Sequence, residues 1–568
     1  MLHKPTGRSM IIWQGEGNAV TEFFDRHRPM LDAALDALRQ RAFWSPFPEI
    51  PSGKIYGETA REDGQAGFEA LRNAAFDLPG HPNQRQLGAE VSPFGGALGI
   101  TYPAADAQTL VAAAQAVQPA LASASPEARV GVCLEALARL NRVSFLMGHA
   151  TMHTTGQAFA MAFQAGGPHA QDRGLEAVAM AWDEMTRFAP QARWEKPQGK
   201  AAPILLEKHW SIVPAGLSLA IGCNTFPTWN SYSGIFASLA TGNPVIVKPH
   251  PAAILPLALT VRVLREVLAE AGLPSDSVLL AVDERGAEIT QQLATQPAVR
   301  LIDYTGSAAF GDWLRGHATQ AQLFTEEAGV NTVTIAATDD FAGMCANLAF
   351  SLALYSGQMC TAPQNIYVPE GGIDTDQGRE SFDEVGLALA AAIDALLADP
   401  ARAAGICGAI ANQATLERVQ QARGLGRVLR DSAPLGQGRT ATPLLLAMRD
   451  GDPACERECF GPVAFVVAVK DADAAIARAT DLARRKGAIT AALYDRDEAR
   501  IACAAQAFAA AGVNLSVNLT GNIYVNQSAA FSDFHVTGAN PAGNACLTDT
   551  AFVASRFRRA MWRRPVAA

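Results

Sequence analysis

The sequence predicts an α/β fold of two doubly wound parallel lobes, and two observations carry that prediction. Between residues 211 and 311, apolar runs of β type alternate with helical patterns about ten or more residues long, and from 326 the alternation resumes as a second unit. Alternation of this kind specifies parallel strands joined by crossover helices. The 568 residues, 49% hydrophobic and 18% charged, can fill such cores and exclude disordered and collagen-like chains.

Taken in order, residues 21–44 read as an amphipathic helix with Leu31, Ala34, Leu35 and Leu38 on one face, ended by the Pro-rich SPFPEIPSGK at 45–54. Loops rich in Gly and Pro follow to about residue 95. A second helix starts after PEAR (126–129), with Val130, Cys133, Leu134 and Leu137 as its buried stripe. The first lobe has β-type runs around 212–221, 244–248, 278–282 and 300–304, and a helix marked by Leu257, Val261, Leu264 and Val267. The second has helices around 341–356 and 379–398 and runs at 365–368 and 463–469. Ligands of such sheets lie beyond the carboxyl ends of the strands, which directs attention to Asn224 and Thr225, to Lys248, and to Gly306 and Ser307.

A net charge of −9 gives no overall footprint for nucleic acid or anionic membrane, and the arginines of the tail (Arg556, Arg558, Arg559, Arg563, Arg564) read as a solvated face. The start, MLHKPTGRSMIIWQGEGNAV, lacks an apolar segment of signal length, and no stretch reaches the roughly 18 uninterrupted apolar residues of a membrane helix. A cytoplasmic protein is expected. Nine cysteines without a CxxC pair fit a reducing compartment. His149 and His153 have helical i, i+4 spacing but no evident third ligand, so no metal is expected.

Four segments carry chemistry. In SGQMCTA (356–362), Cys360 sits between a helical run and a strand, where a thiolate nucleophile and its own N–H are both available. LFTEEAGVNTV (323–333) places Glu326 and Glu327 at the lobe boundary, and a partly desolvated carboxylate there can activate water. YTGSAAFG (304–311) is a strand end, a Gly-Ser turn and a helix start, a place for phosphate. RECFGPVAFVV (457–467) offers Glu458 to ribose hydroxyls and Phe460 to a flat ring.

Together with PAGLSLAIGCNTFPTWN (214–230) and TGNPVIVKPHP (241–251), these segments resemble the aldehyde dehydrogenase superfamily from about 205 to 530. The step of 34 from Glu326 to Cys360 matches that family's interval and selects Glu326 over Glu327. The resemblance implies a nucleophile at Cys360, a water-activating base at Glu326, and NAD or NADP held by Lys248 at the adenosine ribose. His250 is expected beside the adenosine, Gly306, Ser307 and Gly311 at the pyrophosphate, and Glu458 and Phe460 at the nicotinamide. It further implies an aldehyde substrate, a small oligomerisation element and a homodimer or homotetramer. The expected division is an N-terminal helical extension (1–95), a cofactor lobe (96–325, with a return segment near 480–510), a catalytic lobe (326–480) and a C-terminal oligomerisation segment (511–568).

Departures from the family pattern sharpen the reading. Where the family commonly has P-W-N-F-P this chain has C-N-T-F-P, so either Asn224 or Thr225 completes the oxyanion hole with the nucleophile's N–H. Gly234 replaces a lysine, and Pro251 replaces a glutamate that favours NAD, which makes NADP at least as fitting. NTFPTWN and the end motif FHVTGANPAGN (534–544) are similar to PaaN-type enzymes of phenylacetate degradation, implying a semialdehyde carried on coenzyme A. The chain ends soon after that motif, so a fused ring-opening domain is not expected. A CoA-acylating enzyme and a catalytically silent member of the fold are the alternatives, and the presence of Glu326 with Cys360 opposes both.

Overall fold

The computed structural model describes residues 19–566 apart from positions 328, 437 and 546; most of the start segment and Cys546, one of the nine thiols, lie outside the described residues. Two largely parallel sheets organise the molecule. The first holds Leu217–Ile221, Val245–Lys248, Val278–Leu280, Val299–Gly306 and Gln322–Glu327. Its spatial order is third, second, first, fourth, fifth, every pair parallel. Strand order therefore reverses between Leu217–Ile221 and Val299–Gly306, and the crevice beyond those two carboxyl ends is where a doubly wound sheet takes its ligand. The helices Pro227–Ala240 and Leu255–Glu270 cover the sheet, each with proline in its first turn, where a missing N–H costs nothing. Leu257, Val261, Leu264 and Val267 are all buried, as their spacing requires.

The second sheet runs Arg427–Arg430, Leu444–Arg449, Val463–Val469, Asn365–Pro369, Thr332–Ile335, Thr490–Tyr494, Asn514–Val517, parallel except for its first pair. This corrects the return segment expected near 480–510 in the cofactor lobe. The buried run Ala491–Tyr494 pairs with Thr332–Ile335 and so extends the catalytic sheet.

A third, antiparallel sheet joins Gln191–Gln198, Ala201–Pro214 and Phe557–Pro565. The run expected at 212–221 is thus two strands in two sheets, split at Pro214, Ala215 and Gly216, where Gly216 takes φ 140°. The tail is not uniformly solvated either. Arg556 is fully buried; its guanidinium bonds Asp303 (2.9 Å) and Ser238 Oγ (2.7 Å) and lies over Phe324 and Phe552. A Cβ at Gly234 would lie 2.4 Å from Asp303 Cγ, so the space a longer residue would need is taken by this ion pair.

The N-terminal helix Ala19–Gln40 packs on Pro126–Arg142, where Gly131 admits the backbone of Phe24. Part of the expected loop region is helical, at Gly53–Tyr56 and Ala60–Leu71. Gly64 lets the latter approach Phe145 closely. Among the described residues no helix is long and apolar enough to cross a membrane.

Candidate active site

The helix Phe341–Ala353 ends in a left-handed turn: Tyr355, Ser356 and Gly357 have φ of 51°, 50° and 62°. Two consecutive non-glycine residues in that region are strained and persist only where surroundings hold them. Ser356 Oγ donates to the carbonyls of Ala441 (2.8 Å) and Cys407 (3.1 Å), and Gln358 Nε2 to that of Ala409 (2.9 Å). Asn331 Nδ2 then fixes the carbonyl of Cys360 at 2.7 Å. The result is a half-buried sulfur presented on a rigid turn ahead of the strand Asn365–Pro369.

Adjacent glutamates on a strand point to opposite faces, and here that decides their roles. Glu327 pairs with Arg315 of the helix Ala308–His317. Glu326 turns to the lobe boundary, where its Oε2 accepts from Asn230 Nδ2 (2.9 Å) and its Oε1 contacts His535 Nε2 (3.0 Å). The same His535 Nε2 lies 3.3 Å from Cys360 Sγ. The Glu326, Cys360 and His535 side-chain atoms fall within 4.8 Å of one another, with His535 Nε2 in contact with both of the others. Burial pushes the Glu326 carboxyl up, but the His535 charge and the bonds from His535, Cys360 and Asn230 outweigh it and hold it below the usual range. Burial, then the Glu326 charge, drives the Cys360 thiol well above its ordinary value. Neither His535 nor Asn230 was singled out from sequence. Asn230 ends the NTFPTWN signature and His535 is the second residue of the FHV that opens the end motif, and Trp229 meets the His535 ring edge-on at 4.5 Å.

Cys223 stands close to Glu326 and Cys360, its thiol pushed up to about 11, chiefly by burial. Of its two successors, Thr225 is engaged through its carbonyl, which accepts from Gln157 Nε2 (2.8 Å), while the Cys223 thiol donates to Asn230 Oδ1 (3.5 Å). Asn224 is different, for its amide nitrogen is buried and has no partner.

On the cofactor side, Lys248 is buried at its strand end, donating to Pro249 O (3.0 Å) with the Asp283 carboxylate 3.6 Å away. His250 accepts from Ala252 N–H, and burial, aided by Lys248 and Arg285, lowers its pKa to about 4. Gly306 and Ser307 form the turn as expected, and the exposed Ser307 caps the helix Ala308–His317. Gly311 does not belong to that turn. It is buried one turn into the helix, where a Cβ would lie 2.1 Å from Glu327 Oε1. Glu458 and Phe460 line a small pocket beside Met359 and Gly461. Burial raises the half-buried Glu458 to about 7, with Arg418 opposing. The ammonium of Lys248 with the Asp283 carboxylate beside it, the helix start at Ser307 and the carboxyl of Glu458 are groups whose chemistry suits the hydroxyls and phosphates of a dinucleotide. His149 and His153 lie apart from this site, in an aromatic stack with Phe68.

The sequence profile of the Aldehyde dehydrogenase family matches residues 85–534. Among solved structures, an NAD-dependent aldehyde dehydrogenase from Burkholderia multivorans is 52% identical with a TM-score of 0.95, over 96% of this chain and 99% of that one. A 1-pyrroline-5-carboxylate dehydrogenase of Bacillus subtilis is 25% identical over 340 residues, 57% of this chain and 62% of that protein. An N-succinylglutamate 5-semialdehyde dehydrogenase of Burkholderia mallei is 30% identical over 280 residues, 48% of this chain and 55% of its own length. The chain thus matches less than two thirds of the length of these two curated relatives.

Proposed function

Because the chain belongs to the aldehyde dehydrogenase family, we propose that it oxidises an aldehyde to the carboxylic acid with NAD(P)+, through an acyl group carried on Cys360 and released by water. The observation that carries this reading is the buried Glu326 carboxylate, held in its basic form within 4.8 Å of the Cys360 sulfur. Cys360 Sγ attacks the aldehyde carbon and forms the thiohemiacetal, whose oxygen takes negative charge. Asn224 Nδ2, a buried donor without a partner, is our choice to receive that charge, in preference to Thr225. Lys248 and Glu458 are the residues that would hold NAD(P)+, which when bound would supply the acceptor for the hydride leaving the thiohemiacetal carbon. Glu326 then takes a proton from water as its oxygen attacks the resulting thioester, and Cys360 leaves as the thiolate.

For the cofactor we favour NAD. Asp283, beside Lys248, is suited to accept from ribose hydroxyls and repels a 2′-phosphate, doing the work expected of a glutamate at the place of Pro251. The Burkholderia multivorans relative is NAD-dependent by name. For the substrate we propose a semialdehyde carried on coenzyme A, of the PaaN type. In support, the two signatures behind that resemblance supply Trp229, Asn230 and His535 to the nucleophile's surroundings. The antiparallel sheet, with Val213, Met561 and Trp562 exposed, is the surface through which we expect copies to associate.

Product analysis tests the reading. Carboxylic acid should form from aldehyde and NAD(P)+ without added coenzyme A; acyl-CoA formed only when the thiol is supplied contradicts it. Cys360→Ala should lose aldehyde-dependent NAD(P)H formation and keep cofactor binding, and undiminished turnover would sink the assignment.

A further inference from the structure

We propose that His535, resting on the reading of Cys360 as nucleophile, is the base that removes the Cys360 thiol proton, so that the thiol and the water are activated by different residues. The juxtaposition is specific: one ring nitrogen, Nε2, lies 3.3 Å from the sulfur and 3.0 Å from the Glu326 carboxylate, while Nδ1 lies 3.5 Å from Ser528 Oγ. In the neutral ring with its proton on Nδ1, toward Ser528, the Nε2 lone pair faces the thiol S–H and the Glu326 carboxylate together, so the carboxylate favours arrival of the proton at Nε2; the His535 charge that holds Glu326 low is that of the imidazolium so formed. The S–H bond breaks, an Nε2–H bond forms and the electron pair stays on sulfur. The product is a thiolate and an imidazolium, the latter also facing Glu326, whose charge stabilises it. After the C–S bond forms, the Nε2 proton leaves to solvent and Glu326 is free to act on water. Burial and the neighbouring carboxylate keep an unassisted Cys360 thiol protonated.

His535 is held for this work. Its ring is buried and met edge-on by Trp229, over which the Arg173 guanidinium stacks at 5.1 Å. Arg173 donates to Ser528 Oγ and to the carbonyls of Ser528 and Asp533, and pairs with the buried Glu176, which accepts from Phe531 N–H. The Asp533 carboxylate accepts from Ala529 N–H, which closes the loop that carries His535. Other titratable groups facing the site are Cys223, Glu458 beyond Cys360, and Glu326 itself. Asn230 is bonded to the far oxygen of Glu326, leaving the near one to His535.

The test is the pH dependence of Cys360 alkylation by iodoacetamide in the full-length enzyme, read by mass spectrometry on the Cys360 peptide. It needs neither aldehyde nor turnover, and therefore fails or succeeds independently of the oxidation reaction. In His535→Gln the rise of the rate with pH should move up by about two units, so that alkylation at pH 7 falls about 100-fold while rates near pH 10 converge. The NAD(P)H burst should slow in parallel, and cofactor binding should be unchanged. Glu326→Gln should keep a low-pH alkylation limb and lose acyl release instead. Imidazole added to His535→Ala should restore part of the alkylation at pH 7. An unshifted profile in His535→Gln, or a limb lost only in Glu326→Gln, would overturn the assignment and make Glu326 the base for both steps.

Discussion

Replacing Asn230 by leucine tests how the base is tuned. Asn230 Nδ2 donates to Glu326 Oε2 at 2.9 Å, and both side chains are buried. A hydrogen bond to a charged group is worth about 1.5–3 kcal/mol, and about 1.36 kcal/mol corresponds to one pKa unit, so the carboxyl should rise by about 1–2 units. The sign follows from its direction: Glu326 is held below its ordinary value, so its basic form, and the stability it contributes, are present at neutral pH and lost as pH falls through the folded value. Removing a partner that lowers it moves that loss upward. The assay is the decay rate of the Cys360 acyl-enzyme across pH. Its acid limb should move up by about 1–2 units in Asn230→Leu, with the alkaline plateau retained. A limb that stays where the wild type has it, in a variant of unchanged Tm, refutes the claim that Asn230 sets the basicity of Glu326.

Three further outcomes follow from other parts of the molecule. Asp283→Ser, which removes the carboxylate beside Lys248, should lower the KM for NADP relative to that for NAD by about tenfold or more, as expected when like-charge repulsion is relieved; an unchanged ratio places cofactor selection elsewhere. Arg556→Met leaves the Asp303 carboxylate without its partner and should cost about 3–5 kcal/mol, read as a fall in unfolding free energy by denaturant titration. A near-neutral variant would show that the tail strand does not anchor the cofactor sheet. Gly234→Lys should destabilise as well, because its Cβ would meet Asp303, and a stable, well-folded variant would show that this position has room.

Much of the cofactor lobe was legible because parallel strands buried on both faces write themselves as short apolar runs. Val245–Lys248 and Val299–Gly306 lie where those runs stand, and Lys248 and Gly306 occupy their ends. The antiparallel strand Ala201–Pro214 is partly exposed along its length, carries no clean alternation, and so merged with its neighbour into one run. The helix Ala60–Leu71 is short and holds a glycine whose reason, a close approach to Phe145, is a tertiary contact. At the site, the local motifs placed Cys360 and Glu326, but their partners are distant in sequence. His535 is 209 residues from Glu326, and Asn230 is 96 away. Gly311 shows a tertiary reason that local sequence does not carry, since a Cβ there would meet the Glu327 side chain.

The division of labour between Cys360 and Glu326 is tested most directly by mass spectrometry of Glu326→Gln after one aldehyde turnover with NAD(P)+. The account predicts a rapid burst of NAD(P)H, an acyl adduct accumulating on the Cys360 peptide, and turnover slowed by at least about 100-fold, the scale of a lost general base. Sustained turnover with no adduct on Cys360 would contradict it.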